Sequence, residues 1–269
     1  MTQTFPLLEE ARSTTRRVAR TFSLACRLLP AAIRDDVYLL YLVFRTLDDL
    51  VDEGDPGAEA AVAAVEAWAG GEAPASREAT ILEELAGRHP LPRHALADFC
   101  AGMRFDLERA TNETEDELEL YCYRVAGTVG LTMAALLGAS DPRPPRHAAA
   151  LGMAMQRTNI LRDIDEDLAA GRIYLARESR SRFGASLSPG RREALLRDQI
   201  ARADALYETG LAGVGYLACG RRAVRAAGLM YREILRQIER DGYGASPGRA
   251  IVAQPRKLAV AARGVALAR

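Results

Sequence analysis

YLLYLVFRTLDDLVDE, residues 38–53, sets an unbroken apolar run directly before three aspartates and a glutamate. The stretch is rich in helix formers and holds no glycine or proline, so it predicts one helix over 31–53. Asp55-Pro56-Gly57 ends it. On a helix, residues four apart share a face, so Asp48 and Asp52 align. Asp49 lies about 100° round from Asp48. A solvated surface helix accounts equally well for one such cluster.

A second cluster stands about a hundred residues on, in QRTNILRDIDEDLAAGRIYL, residues 156–175. Here Asn159, Asp163 and Asp167 form an i, i+4, i+8 stripe, and Gln156 precedes Asn159 by one short turn. Asp165 and Glu166 point elsewhere. Two such columns facing each other make a box of carboxylates, which repel one another when buried without a partner. Divalent cations relieve that repulsion. Oxygen-only ligands without Cys or His select Mg²⁺ or Mn²⁺ over zinc. Mg²⁺ completes its shell with water and substrate phosphate, so the pattern reads as a metal–diphosphate site. Arg45, Arg162 and Arg172 stand beside the acids, suited to phosphate or to pairing with the carboxylates.

The rest of the chain is also helical in pattern. Helices are predicted at 5–27, 31–53, 57–69, 77–87, 92–110, 114–138, 144–170, 189–216, 219–242 and 253–267. Thr114 to Glu117 reads as a capping box. Asp141-Pro142-Arg143-Pro144-Pro145 reads as a stop and restart, and Ser188-Pro189 as an N-cap followed by proline at the first helical position. Long helices with short connections predict one compact all-α bundle over residues 1–269, with any site at its centre.

Composition removes several function classes. Lys+Arg and Asp+Glu are both 36 over the 269 residues, so no global basic charge points to nucleic acid. Cys26, Cys100, Cys122 and Cys219 are scattered and read as free thiols of a reducing compartment. His89, His94 and His147 lie apart, against a His metal site or a catalytic triad. No signal peptide is visible and no run nears the ~20 apolar residues of a spanning helix, so a cytoplasmic protein is expected.

Four blocks, RTFSLACRLLP (20–30), YLLYLVFRTLDDLVDE (38–53), YCYRVAGTVG (121–130) and QRTNILRDIDEDLAAGRIYL (156–175), together resemble the squalene/phytoene synthase family. They stand in the family's order and spacing, within a likeness over roughly 15–260. The resemblance implies an all-α isoprenoid synthase bundle with a central cavity. It implies head-to-head (1-1′) condensation of two farnesyl or geranylgeranyl diphosphates through a cyclopropylcarbinyl diphosphate to a phytoene-type hydrocarbon. By position it implies Asp48, Asp49, Asp52, Asn159, Asp163 and Asp167 as metal ligands. It places Thr21, Ser23, Tyr41, Arg45, Gln156, Arg172 and Tyr231 at the substrates, and Tyr121 and Tyr174 near the reacting carbons. GTVGLTMAALLGA (127–139) is read as an apolar wall, with Gly127 and Gly130 allowing close approach. NADPH is expected only if the product is squalene.

The sequence also departs from the family pattern. Asp165 stands where phytoene synthases usually carry glycine, as in bacterial enzymes that stop at presqualene diphosphate. Arg157 replaces a commoner apolar residue and is read as balancing that acid. RIYLARE replaces RIYLPRE. The rival readings are a presqualene diphosphate synthase, a single-substrate terpene cyclase with the same metal box, and a non-catalytic scaffold, against which the clustered acids argue. So apolar a product implies peripheral contact with the inner face of the membrane. The C-terminal PRKLAVAARGVALAR reads first as a last helix packed on the bundle.

Overall fold

The computed structural model describes residues 4–139, 144–184 and 186–266. Helices account for nearly all of its regular structure; outside them the described residues hold one isolated bridge, Ala139 with Leu217. In chain order the helices are α1 (Thr4–Val18), α2 (Arg20–Cys26), α3 (Ala31–Glu53), α4 (Ala58–Ala69), α5 (Arg77–Ala86), α6 (Arg93–Leu107) and α7 (Glu115–Cys122). After a π turn over Tyr123–Gly127 come α8 (Thr128–Leu136), α9 (Pro144–Arg162), α10 (Ile164–Ala169), α11 (Arg177–Arg182), α12 (Glu193–Ala212), α13 (Arg221–Arg240) and α14 (Gln254–Ala266). None of them is long and apolar enough to cross a membrane.

Helix α3 forms over its expected span. Gly54 closes it in the left-handed conformation at φ 67°, sending its N–H back to the carbonyls of Leu50 and Val51. The capping box at Thr114 is present: its side chain accepts from Glu117 N, and the Glu117 carboxylate reaches back to Thr114 N. Helix α14 packs on α13. The four cysteines are free, and burial pushes the thiols of Cys26, Cys100 and Cys122 up to about 12.

Tertiary packing divides three of the long predicted helices. The 5–27 segment breaks at Ala19, φ −115°, and its halves pack on different partners, α1 on α3 and α2 on α13. The 114–138 segment contains the π turn, a feature frequent beside functional sites. The 144–170 segment breaks at Asp163, φ −104°, where side-chain bonds to Arg162 and Arg249 gather. The DPRPP break lies mostly outside the described residues.

Two expectations fail at 177–193. Residues 177–182 form α11, which was not predicted. Ser188-Pro189 does not cap α12, which starts at Glu193 behind Arg192. Gly190 sits at φ 76° and donates its N–H to Gly244 O at 2.9 Å, so Pro189-Gly190 makes a turn held by a distant loop.

Buried residues form two main clusters. One surrounds α3 to α6, with Trp68 fully buried and its indole N–H bonded to Glu83 at 2.7 Å. The other gathers α7, α9, α12 and α13. Helix α9 packs against α7, α8, α12 and α13. Missing side chains permit this: a Cβ on Gly130 would stand 2.2 Å from Ala148 O, and one on Gly152 2.1 Å from Ala126 O. The expected close approach of Gly127 and Gly130 is therefore real, with α9 as the partner.

Candidate active site

Between these helices lies a cavity of about 370 Å³. Its polar part is lined by Tyr41, Arg45 and Asp48 from α3, Gln156 and Asn159 from α9, and Tyr231 from α13. Beyond, the lining is almost wholly apolar, with Phe44 and Phe99 on one side and Met133 and Leu137 on another. The wall predicted over 127–139 thus contributes Val129, Gly130, Met133, Ala134 and Leu137. Helix α2 contributes Phe22, Ala25 and Cys26; Thr21 and Ser23 are not among the lining residues.

Arginines partner the acids of both motifs, of which Asp48 lines the cavity while Asp49, Asp52, Asp163 and Asp167 are not among its lining residues. Arg45 donates to Asp48 at 2.8 Å and also to Asp49. Arg162 and Arg249 both pair with Asp163, at 2.5 Å and 2.9 Å. Arg172 donates to Asp52 at 2.5 Å. Burial and then the charge of Asp52 push the Asp48 carboxyl up to about 6. Burial and then Asp163 push Asp167 up to about 7, with Asp52 adding to the shift. Acids from α3 and α10 therefore share one field, with Arg172 between them.

Asn159 donates to Gln156 Oε1 at 3.3 Å, while its Oδ1 is buried without a hydrogen-bond partner. A buried, unmatched acceptor on a residue that lines the cavity suits a donor or a cation. Among the described residues no three acidic, imidazole or thiol groups gather tightly enough to hold an ion by themselves.

Tyr121 and Tyr174 stack on each other beside the acids, with ring centroids 5.3 Å apart. The Tyr174 hydroxyl accepts from Arg172 at 3.0 Å. The Tyr121 hydroxyl donates to both oxygens of Asp106, at 3.2 and 3.1 Å. A chain of contacts thus runs from Asp52 through Arg172, Tyr174 and Tyr121 to Asp106. Burial pushes Asp106 up to about 7, against the lowering bond from Tyr121. Sequence reasoning passed over Asp106 and Arg249, because each is a single charge outside any spaced cluster.

The two unusual charges do not balance each other. Asp165 takes both N–H groups of Arg192, at 2.6 and 2.8 Å, and Arg192 holds it below the usual carboxylate range. Arg157, 3% exposed, pairs with Glu115 at 3.2 Å and Gln199 at 2.9 Å. It ties α9 to α7 and α12, which corrects the expected pairing with Asp165.

An apolar cavity with Arg45, Asp48, Gln156 and Asn159 in its lining lies beside acids of two segments that share one field. The profile of the squalene/phytoene synthase family covers residues 15–256. The chain is a member of that family. It is 36% identical to a 15-cis-phytoene synthase of Synechococcus elongatus, over 93% of this chain and 89% of that one. It is 38% identical to a phytoene synthase of Thermus thermophilus, over 83% of this chain and 80% of that one. Among solved structures it is similar to a dehydrosqualene synthase in complex with ligand, at TM-score 0.90 and 28% identity over 98% and 97% of the two chains. It is also similar to the squalene synthase HpnC of Alicyclobacillus acidocaldarius, at TM-score 0.78 and 28% identity over 91% and 98%. This squalene/phytoene synthase is a prenyltransferase, and its relatives support head-to-head condensation of prenyl diphosphates.

Proposed function

We propose that the enzyme joins two geranylgeranyl diphosphates head to head, with Mg²⁺ or Mn²⁺, to a phytoene-type C40 hydrocarbon. The observation that carries this reading is an apolar cavity whose lining includes Arg45, Asp48, Gln156 and Asn159, with the Asp52–Arg172 pair acting on Asp48 from beside it. The phytoene synthases among its relatives favour the longer substrate, and farnesyl diphosphate with a C30 product is the alternative.

Asp48, Asp52, Asp163, Asp167 and Asn159 would hold the cations, with Asp49 assisting. Bound there, divalent metal would neutralise the diphosphate and ease its departure. Arg45 and Arg172 are placed to take diphosphate oxygens once the cations engage their carboxylate partners. Gln156 is placed to orient the head group, and Tyr41 and Tyr231 line the same polar part of the cavity. Burial pushes the Tyr41 hydroxyl up to about 12, so it donates hydrogen bonds without offering an anion.

The apolar interior keeps water from the allylic cation left after the first ionisation. That cation alkylates the double bond of the second substrate, losing one proton and closing the cyclopropane. A second ionisation, rearrangement and loss of another proton give the triene. The π-faces of Tyr121 and Tyr174, beside the acids, are suited to stabilising positive charge in these steps.

The deciding experiment is a product assay. Purified protein with Mg²⁺ is given farnesyl or geranylgeranyl diphosphate, with and without NADPH, and extracts are analysed by mass spectrometry before and after phosphatase treatment. A C40 hydrocarbon formed without NADPH is expected. A C30 alcohol released only by phosphatase would make this a presqualene diphosphate synthase. A cyclic C15 or C20 product would make it a cyclase.

A further inference from the structure

The loop Asp241–Ala250 runs beside the second acidic motif and is fastened to it from several sides. Gly248 N donates to Asp165 Oδ2 at 2.8 Å. The same carboxylate takes the fork of Arg192, which also donates to Leu187 O at 3.0 Å. Arg192 is 3% exposed and Asp165 20%, so this is a partly desolvated bidentate pair, in which geometry is fixed more firmly than in a surface ion pair. Gly244 stands at φ +75° against it: a Cβ there would lie 2.3 Å from Arg192 Nε. Gly244 O accepts from Gly190 N at 2.9 Å. The Tyr243 hydroxyl accepts from Arg197 at 2.8 Å, and that guanidinium lies 3.9 Å over the ring.

The residue after Gly248 is Arg249, whose Nε stands 2.9 Å from Asp163 and whose Nη1 stands 3.6 Å from Glu166. The loop therefore delivers a cation to the acidic stripe, and the Asp165–Arg192 pair sets where its backbone lies. We propose that Asp165 and Arg192 are positioning residues that hold the 241–250 loop so that Arg249 stands at the diphosphate site. Asp165 is then an anchor for the loop, turned from Asp163 and Asp167 toward Arg192 and Gly248. The functional half of the proposal rests on the diphosphate reading above; the structural half does not.

The test uses full-length Asp165→Asn, Arg192→Gln, Arg249→Gln and the Asp165→Asn/Arg249→Gln double variant. Gly244→Ala serves as a charge-neutral variant, since its methyl displaces Arg192 and its φ of +75° strains the loop itself. Amide hydrogen exchange of the metal-free proteins comes first. Asp165→Asn, Arg192→Gln and Gly244→Ala should each speed exchange over 242–250 by about tenfold or more and leave α9 unchanged. Calorimetric titration with inorganic pyrophosphate and Mg²⁺ comes second. The same variants should weaken binding by roughly as much as Arg249→Gln, about five- to tenfold, and raise KM with kcat within about twofold. The double variant should bind no more weakly than Arg249→Gln alone, because the anchor acts through that arginine. Unchanged loop exchange, or losses that multiply in the double variant, would overturn the proposal. If wild type binds no pyrophosphate and turns over no prenyl diphosphate, the diphosphate reading falls with the role of Arg249 there, while faster loop exchange still establishes the anchor.

Discussion

Arg172 and Asp52, 120 positions apart in sequence, meet at 2.5 Å, and the same Nη1 of Arg172 donates to the Tyr174 hydroxyl at 3.0 Å. One guanidinium therefore ties the first acidic helix to the tyrosine stack that ends at Asp106. A lysine ammonium could replace that one nitrogen, but it lacks the planar fork that takes two diphosphate oxygens at once. Arg172→Lys should lower kcat/KM by about 10²-fold, equivalent to ~2.7 kcal/mol of transition-state stabilisation. Diphosphate release under steady-state conditions measures it. An Arg172→Lys variant within threefold of wild type would remove Arg172 from the site.

The two acidic segments should answer differently to neutralisation. Asp48→Asn relieves a half-buried carboxylate pressed by Asp52 and leaves Arg45 its pair with Asp49, whereas Asp163→Asn strips two arginines of their shared partner. Both should abolish turnover. In metal-free protein Asp48→Asn should hold or raise Tm, while Asp163→Asn should lower it by a few degrees, on the order of 2–4 °C per kcal/mol at this chain length. Scanning calorimetry in EDTA distinguishes them; an equal shift in both would mean that the arginine pairing at Asp163 contributes nothing.

Asp106 and Asp167 give a pH dependence with a definite sign. Both carboxyls are raised to about 7 in the fold, above an unfolded value of about 3.9. The folded state then binds more protons between those values, so these groups cost stability progressively as pH rises from about 4 to about 7. Asp106→Asn and Asp167→Asn should therefore gain Tm relative to wild type between pH 5 and pH 8 in EDTA. A Tm difference that does not change with pH would show that neither carboxyl is raised.

The same shifts should govern metal uptake. Asp48 and Asp167 must lose protons to ligate, so the half-saturating Mg²⁺ concentration should fall as pH rises through 6 to 8. Proton release on mixing with Mg²⁺ and pyrophosphate, followed with an indicator dye in weak buffer, should accompany it. No release near pH 6.5 would count against these two ligands.

Close packing of α9 has its own test. Gly130→Ala and Gly152→Ala each drive a methyl into a carbonyl oxygen, at 2.2 Å from Ala148 O and 2.1 Å from Ala126 O. Each should destabilise by about 1–3 kcal/mol, read as a lowered urea midpoint. Gly54→Ala meets nothing within 4 Å and loses only the left-handed allowance, so it should cost less.

Local spacing carried much of this protein. The span of α3, the Thr114 capping box and the shared face of Asp48 and Asp52 all depend on neighbours within a few residues. Helical geometry fixes those relations before any tertiary contact forms. The family resemblance came from the same short blocks. Local spacing did not decide the breaks at Ala19, Tyr123–Gly127 and Asp163, where separate stretches of one helical pattern meet different partners. Nor did it pair Arg172 with Asp52, Arg249 with Asp163, Tyr121 with Asp106, or Asp165 with Arg192. Those partners lie 15 to 120 residues apart. They meet only when the packed helices bring their surfaces together, because an ion pair or hydrogen bond depends on distance in space and has no period along the chain.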